Sequence, residues 1–242
     1  MRMRLAILDS GHGFGTKALF ALIRAVSRQP VLDVIKLVKY RAGFYGMPMQ
    51  RVTHEAMRGP SAWSVADREL MAALVAKSNE CEWCTKAHAA VAEGAYRDGA
   101  KVSAALSDLE TAPIEGPLRA TLRMLCKLTR EHAVNADDMR AVLAAGVSRE
   151  QIEDALAVCF SFNTIGRLAD AFGFFVPGPN AFEAGAKYLL AHGHRRPRQV
   201  RALNRSSKHS RHSLACTQGH LWVNVPFLVH DVLGRLRPRC QL

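Results

Sequence analysis

Apolar positions along this chain recur at intervals of three and four residues, and no stretch alternates apolar with polar, so the pattern predicts helices without strands. Residues 31–40, carrying Val31, Ile35, Leu37 and Val38, read as a short helix. Gly43–Pro48 ends it, and Arg58-Gly59-Pro60 breaks the chain again before Ser64 or Asp67 caps the next helix. That helix is apolar almost all round from Leu70 to Ala76, the signature of a central, buried element. Ser78-Asn79 closes it, and a second helix opens near Cys81 and runs through Ala87, Val91, Ala92 and Ala95 towards Gly99. A loop over 108–117 follows. The helical pattern then resumes in Leu118–Leu128, in Asp137–Ala145, and behind a Ser148-x-x-Gln151 capping box in Ile152–Phe162, extending towards Phe172. Pro177-Gly178-Pro179 stops that run before a last short helix over 181–191.

The ends differ from the middle. Near the start, Gly11-His12-Gly13-Phe14-Gly15-Thr16-Lys17 resembles a phosphate loop, but its spacing fits neither G-x-G-x-x-G nor G-x4-G-K-[ST], and no strands follow to build a βαβ unit. It reads as a flexible lead-in. After His192 the periodicity stops, and Arg195–Arg211 is rich in Ser, Arg and His, which predicts low order. Trp222 and its apolar neighbours have no evident place in the preceding fold. The predicted organisation is therefore an all-α chain with a lead-in over 1–15, one helical domain over 15–190 and a basic tail over 191–242.

Composition changes this picture only in part. At 242 residues with 49% hydrophobic content the chain can bury a core without disulfide staples, and six cysteines form no dense framework. A reducing, cytoplasmic setting is the expectation. The apolar run after Met1 is cut short by Asp9, so no secretory leader is readable, and no stretch reaches the length of a membrane span. The formal charge of +12 suggests an anionic partner, yet residues 191–242 hold a net of +9, leaving +3 for residues 1–190. Binding to nucleic acid, if it occurs, belongs to the tail.

The candidate chemistry lies between Glu69 and His88. On a helix, Cys81→Cys84 and Cys84→His88 are i,i+3 and i,i+4 steps, so both thiols and the imidazole share one face. A C-x-x-C pair can close into a disulfide, and an imidazole one turn on can keep one sulfur a thiolate. The helical neighbours of Glu69 are Val65, Ala66, Ala72 and Ala73, an apolar setting expected to raise its pKa into the range useful for proton transfer, with Arg68 or Lys77 available to pair with it. Competing readings are a structural zinc site, for which a second ligand pair at short range is missing, and plain core packing. Cys126 and Cys159, set among apolar residues, read as core. Trp83 reads as a wall of the site or a subunit contact.

The combination Glu69-x11-Cys81-x2-Cys84-x3-His88, with Arg58-Gly59-Pro60-Ser61-Ala62-Trp63-Ser64 before it and Phe162-Asn163-x3-Arg167 after it, resembles the alkylhydroperoxidase D branch of the carboxymuconolactone decarboxylase family over residues 40 to 190. The resemblance implies the all-α fold of that branch, a homo-oligomer, and reduction of a hydroperoxide without metal or organic cofactor. It implies Cys84 as the attacking thiol, His88 assisted by Glu69 as its base, and Cys81 as the resolving thiol. The reductant it implies is a dithiol protein, lipoyl-bearing or thioredoxin-like. Helix-dipole physics alone favours Cys81 as the attacker. Two further readings stand beside the peroxidase: the decarboxylase of the family name, against which the cysteine pair counts, and a redox-sensing switch whose tail binds an anionic partner.

Overall fold

Ser64 starts the helix on which the others pack. Its hydroxyl accepts from the Asp67 N–H at 3.1 Å while Asp67 Oδ2 accepts from the Ser64 N–H at 3.0 Å, a reciprocal cap that fixes where the helix begins. In the computed structural model, which describes residues 4–194, eleven α-helices follow one another among those residues: α1 (Ile7–Ser10), α2 (Phe14–Ser27), α3 (Asp33–Tyr40), α4 (Met47–Arg58), α5 (Val65–Ser78), α6 (Glu82–Tyr96), α7 (Gly99–Ser107), α8 (Gly116–Glu131), α9 (Ala136–Ala144), α10 (Arg149–Phe172) and α11 (Pro179–His192). No strand occurs among the described residues, and the all-α class follows.

α5 is buried almost all round because both faces have a core to enter. One face carries Leu70, Met71 and Val75 into a large core with Leu122 and Leu125 of α8, Val142 of α9 and Ile152, Val158 and Phe162 of α10. The end of α5 meets a smaller core, in which Ala76 joins Cys81, Trp83 and Cys84 around Leu8, Leu37, Ala169, Phe174 and Phe182. Burying a side chain such as Leu70, Leu122 or Phe162 is worth about 1.5–3 kcal/mol each. Trp63, just before α5, donates its indole N–H to the Gln151 carbonyl at 2.8 Å and ties the entry of α5 to the start of α10.

Three segments differ from the sequence reading. The proline and glycines of Gly43–Pro48 do not open a loop: a π-helical turn over Ala42–Gly46 runs into α4, and Pro48 occupies the first turn, where its missing N–H costs nothing. α7 fills part of the stretch between Gly99 and the 108–117 loop. The lead-in over 1–15 carries α1 and the start of α2 and packs on the domain, with Leu8 in the smaller core and the Arg4 N–H donating to the Phe172 carbonyl at 2.9 Å. At the other end α11 reaches His192, and Gly193 and His194 fold back onto α4. The expected low order of Arg195–Arg211 and the apolar group around Trp222 lie outside the described residues. No helix among the described residues is long and apolar enough to cross a membrane.

Candidate active site

α5 and α6 pack side by side through a tight turn. Glu80 takes a left-handed conformation there with φ 59°, and the Cys81 N–H bonds to the Ala76 carbonyl at 3.0 Å, which makes Cys81 the N-cap of α6. The turn is held from the side by α10: Asn79 Nδ2 donates to Asn163 Oδ1 at 3.0 Å, and Asn163 Nδ2 in turn donates to the Cys159 carbonyl at 3.0 Å. Asn163 thus has a structural role, and Phe162 beside it has another, its ring lying edge-on to His88 at 4.1 Å between centroids.

The hairpin brings Glu69 and His88 together. His88 Nδ1 donates to Glu69 Oε2 at 2.7 Å, and Glu69 is 0% exposed. With the Nδ1 proton committed to the carboxylate, the neutral imidazole carries its lone pair on Nε2, the form of a proton acceptor. The other carboxylate oxygen, Oε1, accepts from Arg58 at 2.7 Å. Arg58 comes from the end of α4 and also donates to the Met57 carbonyl, so the guanidinium is positioned by its own helix end. Neither partner suggested by the sequence is used: Arg68 donates to the Gly59 carbonyl at 2.9 Å and Lys77 to the Leu106 carbonyl.

This changes the expected electrostatics of Glu69. Burial alone pushes its pKa up, as the apolar neighbours predict, but the hydrogen bond and charge of His88 and the charges of Arg58 and His194 outweigh it, and the carboxyl is held below the ordinary value of 4.5. The expectation of a raised pKa is corrected accordingly. Glu69 is a fixed anion that orients His88, and the proton-accepting atom is on the imidazole.

Above this group sits a residue the sequence reading counted with the tail. Gly193, at φ +62°, has no room for a side chain: a Cβ there would meet the His54 ring at 2.9 Å and the Arg58 stem at 3.2 Å. The turn it permits lays His194 near Glu69 and His88 with Nε2 shielded and lacking a hydrogen-bond partner, and burial pushes its pKa down to about 3 although Glu69 pulls it upward.

Cys81 and Cys84 are both 0% exposed and both free thiols. Acting on Cys81 are the Cys84 side chain and backbone, which favour its thiolate, and burial and the Asp170 carboxylate, which oppose it, and the balance holds the Cys81 pKa down. The Cys81 side chain, burial and the negative charge of Asp170 push the Cys84 thiol well up. Trp83 closes the other side of α6, its ring edge-on to Phe174 at 5.3 Å and to Phe182 at 6.1 Å. All four expected residues, Glu69, Cys81, Cys84 and His88, therefore lie on one hairpin, and Arg58, Asp170 and His194 complete their surroundings. Among the described residues no group of three or more His, Cys, Asp or Glu side chains is arranged to hold a metal ion.

The chain matches no protein-family model, and no curated protein matches it in sequence. Its fold does match solved structures. An uncharacterized peroxidase-related protein from Silicibacter sp. TM1040 superposes with a TM-score of 0.63 at 21% identity, covering 75% of this chain and 94% of its own. An uncharacterized peroxidase-related protein from Ralstonia eutropha JMP134, described as an alkylhydroperoxidase AhpD core, superposes with a TM-score of 0.63 at 19% identity, covering 77% of this chain and 97% of its own. At such identities the likeness is one of architecture: the chain has the all-α fold of the alkylhydroperoxidase D-like core.

Proposed function

We propose that this chain is a thiol-dependent peroxidase of the alkylhydroperoxidase D-like family, reducing a hydroperoxide at the Cys81–Cys84 pair. The observation that carries the reading is the buried 2.7 Å hydrogen bond between His88 and Glu69, on the hairpin whose second helix bears both thiols. It leaves His88 Nε2 as an acceptor one helical turn from Cys84, the thiol that its surroundings keep protonated and that therefore needs a base. His88 takes the Cys84 proton, the sulfur attacks the peroxide, the S–O bond forms and the O–O bond breaks. The leaving alkoxide receives that proton and departs as an alcohol. Cys84 is now a sulfenic acid, and Cys81 displaces its hydroxyl to give a disulfide and water. A dithiol protein, lipoyl-bearing or thioredoxin-like, reduces the disulfide in a reducing, cytoplasmic setting, and no metal or organic cofactor takes part. Assembly as a homo-oligomer belongs to the same reading and is supported by α2, which turns Phe14, Leu22 and Val26 outward.

Mass spectrometry after mild treatment with an organic hydroperoxide tests this. The expected result is a Cys81–Cys84 disulfide, with continued peroxide consumption when a dithiol is supplied. A disulfide without turnover indicates a redox switch instead, and absence of the disulfide overturns the proposal.

A further inference from the structure

Two tryptophans among the described residues are buried to the same degree, each 6% exposed, yet only one has its indole nitrogen satisfied. Trp63 donates to the Gln151 carbonyl at 2.8 Å. The Trp83 N–H is shielded from solvent and has no hydrogen-bond partner in the chain. The rings of Phe174 and Phe182 meet the Trp83 ring edge-on, and Leu8, Leu37 and Ala169 belong to the same packed group. None of these side chains carries an oxygen or nitrogen to accept the hydrogen. A buried donor left in this state costs about 1–3 kcal/mol, a cost that a phenylalanine at the same place would not incur.

The unpaired donor stands at the cysteine pair. Trp83 lies between Cys81 and Cys84 in the first turn of α6, and all three side chains enter the smaller core. The first N–H groups of a helix have no carbonyl before them, which gives that end a positive potential. A helix start and an indole N–H thus meet in apolar surroundings, where a hydrogen bond is stronger than in water. Attack by Cys84 develops negative charge on the oxygen that leaves. We propose that Trp83 is the catalytic group that receives this oxygen through its indole N–H, an assignment that rests on the peroxidase reading. In the step, the Cys84 sulfur bonds to the terminal oxygen of the hydroperoxide, and the electron pair of the O–O bond moves to the inner oxygen. Trp83 donates to that oxygen and keeps its own proton. The proton taken from Cys84 reaches the oxygen from His88, and an alcohol departs. The ligand suited to the place is an acceptor oxygen on an apolar body, with Phe174 and Phe182 facing the hydrocarbon part.

Removing the N–H while keeping an aromatic ring tests the proposal. Trp83→Phe is made, and separately Trp83 is replaced by benzothienylalanine, in which a sulfur stands in for the N–H. Both changes are placed in Cys81→Ser protein, so that sulfenic acid on Cys84 persists and is counted by mass after trapping with dimedone. Each protein is mixed with one equivalent of cumene hydroperoxide, and alkylation of Cys84 by iodoacetamide, which produces no alkoxide, is timed at the same pH. The expected result is sulfenic acid formation slower by about 10²-fold, with alkylation unchanged. The thermal midpoint of the benzothienylalanine protein should be no lower than with Trp83 intact, since the N–H has no protein partner to lose. Should Trp83→Phe fail to fold, the isostere decides alone. A peroxide rate within twofold means that the N–H meets only a buried water or that the ring only packs, and overturns the proposal. Equal slowing of alkylation and peroxide reaction also overturns it, because Trp83 would then act on the thiol itself. Either result leaves the peroxidase reading intact. If Cys81→Ser protein with Trp83 in place forms no sulfenic acid on Cys84, both readings fall.

Discussion

Among the described residues four buried thiols sit as two pairs, and the pairs behave differently. Cys126 on α8 and Cys159 on α10 are 5% and 2% exposed, hardly more than Cys81 and Cys84 at 0%. Burial pushes Cys126 and Cys159 up, and the influence of Ser78 on the first and the contacts of Thr129 and Asn163 with the second are too weak to reverse it. Cys81 is equally buried and yet is held down, because a neighbouring thiol and peptide N–H at a helix start favour its anion. Removal from water therefore does not by itself make a thiol inert. What separates the pairs is the supply of donors, and only the Cys81–Cys84 pair lies on the hairpin that carries Glu69 and His88.

The widest break in that contrast comes from the sulfurs themselves. Cys84→Ser should abolish peroxide consumption, whereas Cys81→Ser should allow a single turnover and leave a sulfenic acid trappable on Cys84. Sulfenic acid found on Cys81 instead would reverse the assigned order. Glu69→Gln comes next. Turnover should fall by about 10²-fold, since His88 loses its orienting anion but keeps its lone pair. The same change leaves Arg58 without a counter-charge and should cost about 3 kcal/mol, read as a lower thermal midpoint at pH 7. That midpoint also carries a pH signature. Glu69 titrates below 4.5 in the folded chain, so its contribution is full above 4.5 and is lost as pH falls through the folded value. The Gln variant should show a flatter midpoint across that acid window, and parallel acid limbs in the two proteins would remove Glu69 from the ion pair.

Smaller effects sharpen the comparison. Asn163→Ala frees the Asn79 turn and should cost about 1–2 kcal/mol in urea unfolding. Disulfide closure should slow with it, because the turn sets where Cys81 stands. Least of all, Cys126→Ser and Cys159→Ser should leave turnover within about twofold, as expected of small buried hydrophobes outside the reaction. A larger loss of turnover in either would join the second pair to the chemistry.

The central helix was legible because α5 has no polar face to disguise it, and the capping residues Ser64 and Ser148 marked helix starts by local chemistry alone. The spacing from Glu69 to His88 was legible for the same reason, since one hairpin holds the four residues. Arg58 was not recognisable as the partner of Glu69: a break at Gly59-Pro60 separates them, and which cation crosses it depends on how α4 packs. The direction of the Glu69 pKa failed with it, since neighbours along a helix report burial but not charge arriving from another helix. Asp170 and His194 meet the site only through the packing of α10 and α11. No spacing rule connects them to the cysteines.

The turn at Asn79 and Glu80 gives the hairpin a constraint on chain length. Glu69 stands ten positions before Asn79 and His88 nine after it, and their hydrogen bond joins points at equal depth in the two arms. One residue inserted between them within either helix would rotate everything beyond it by about 100° and slide it by about 1.5 Å. His88 would then turn away from the carboxylate, which would be left with Arg58 alone. Descent with change in this part of the chain should therefore proceed by replacement and not by insertion or deletion.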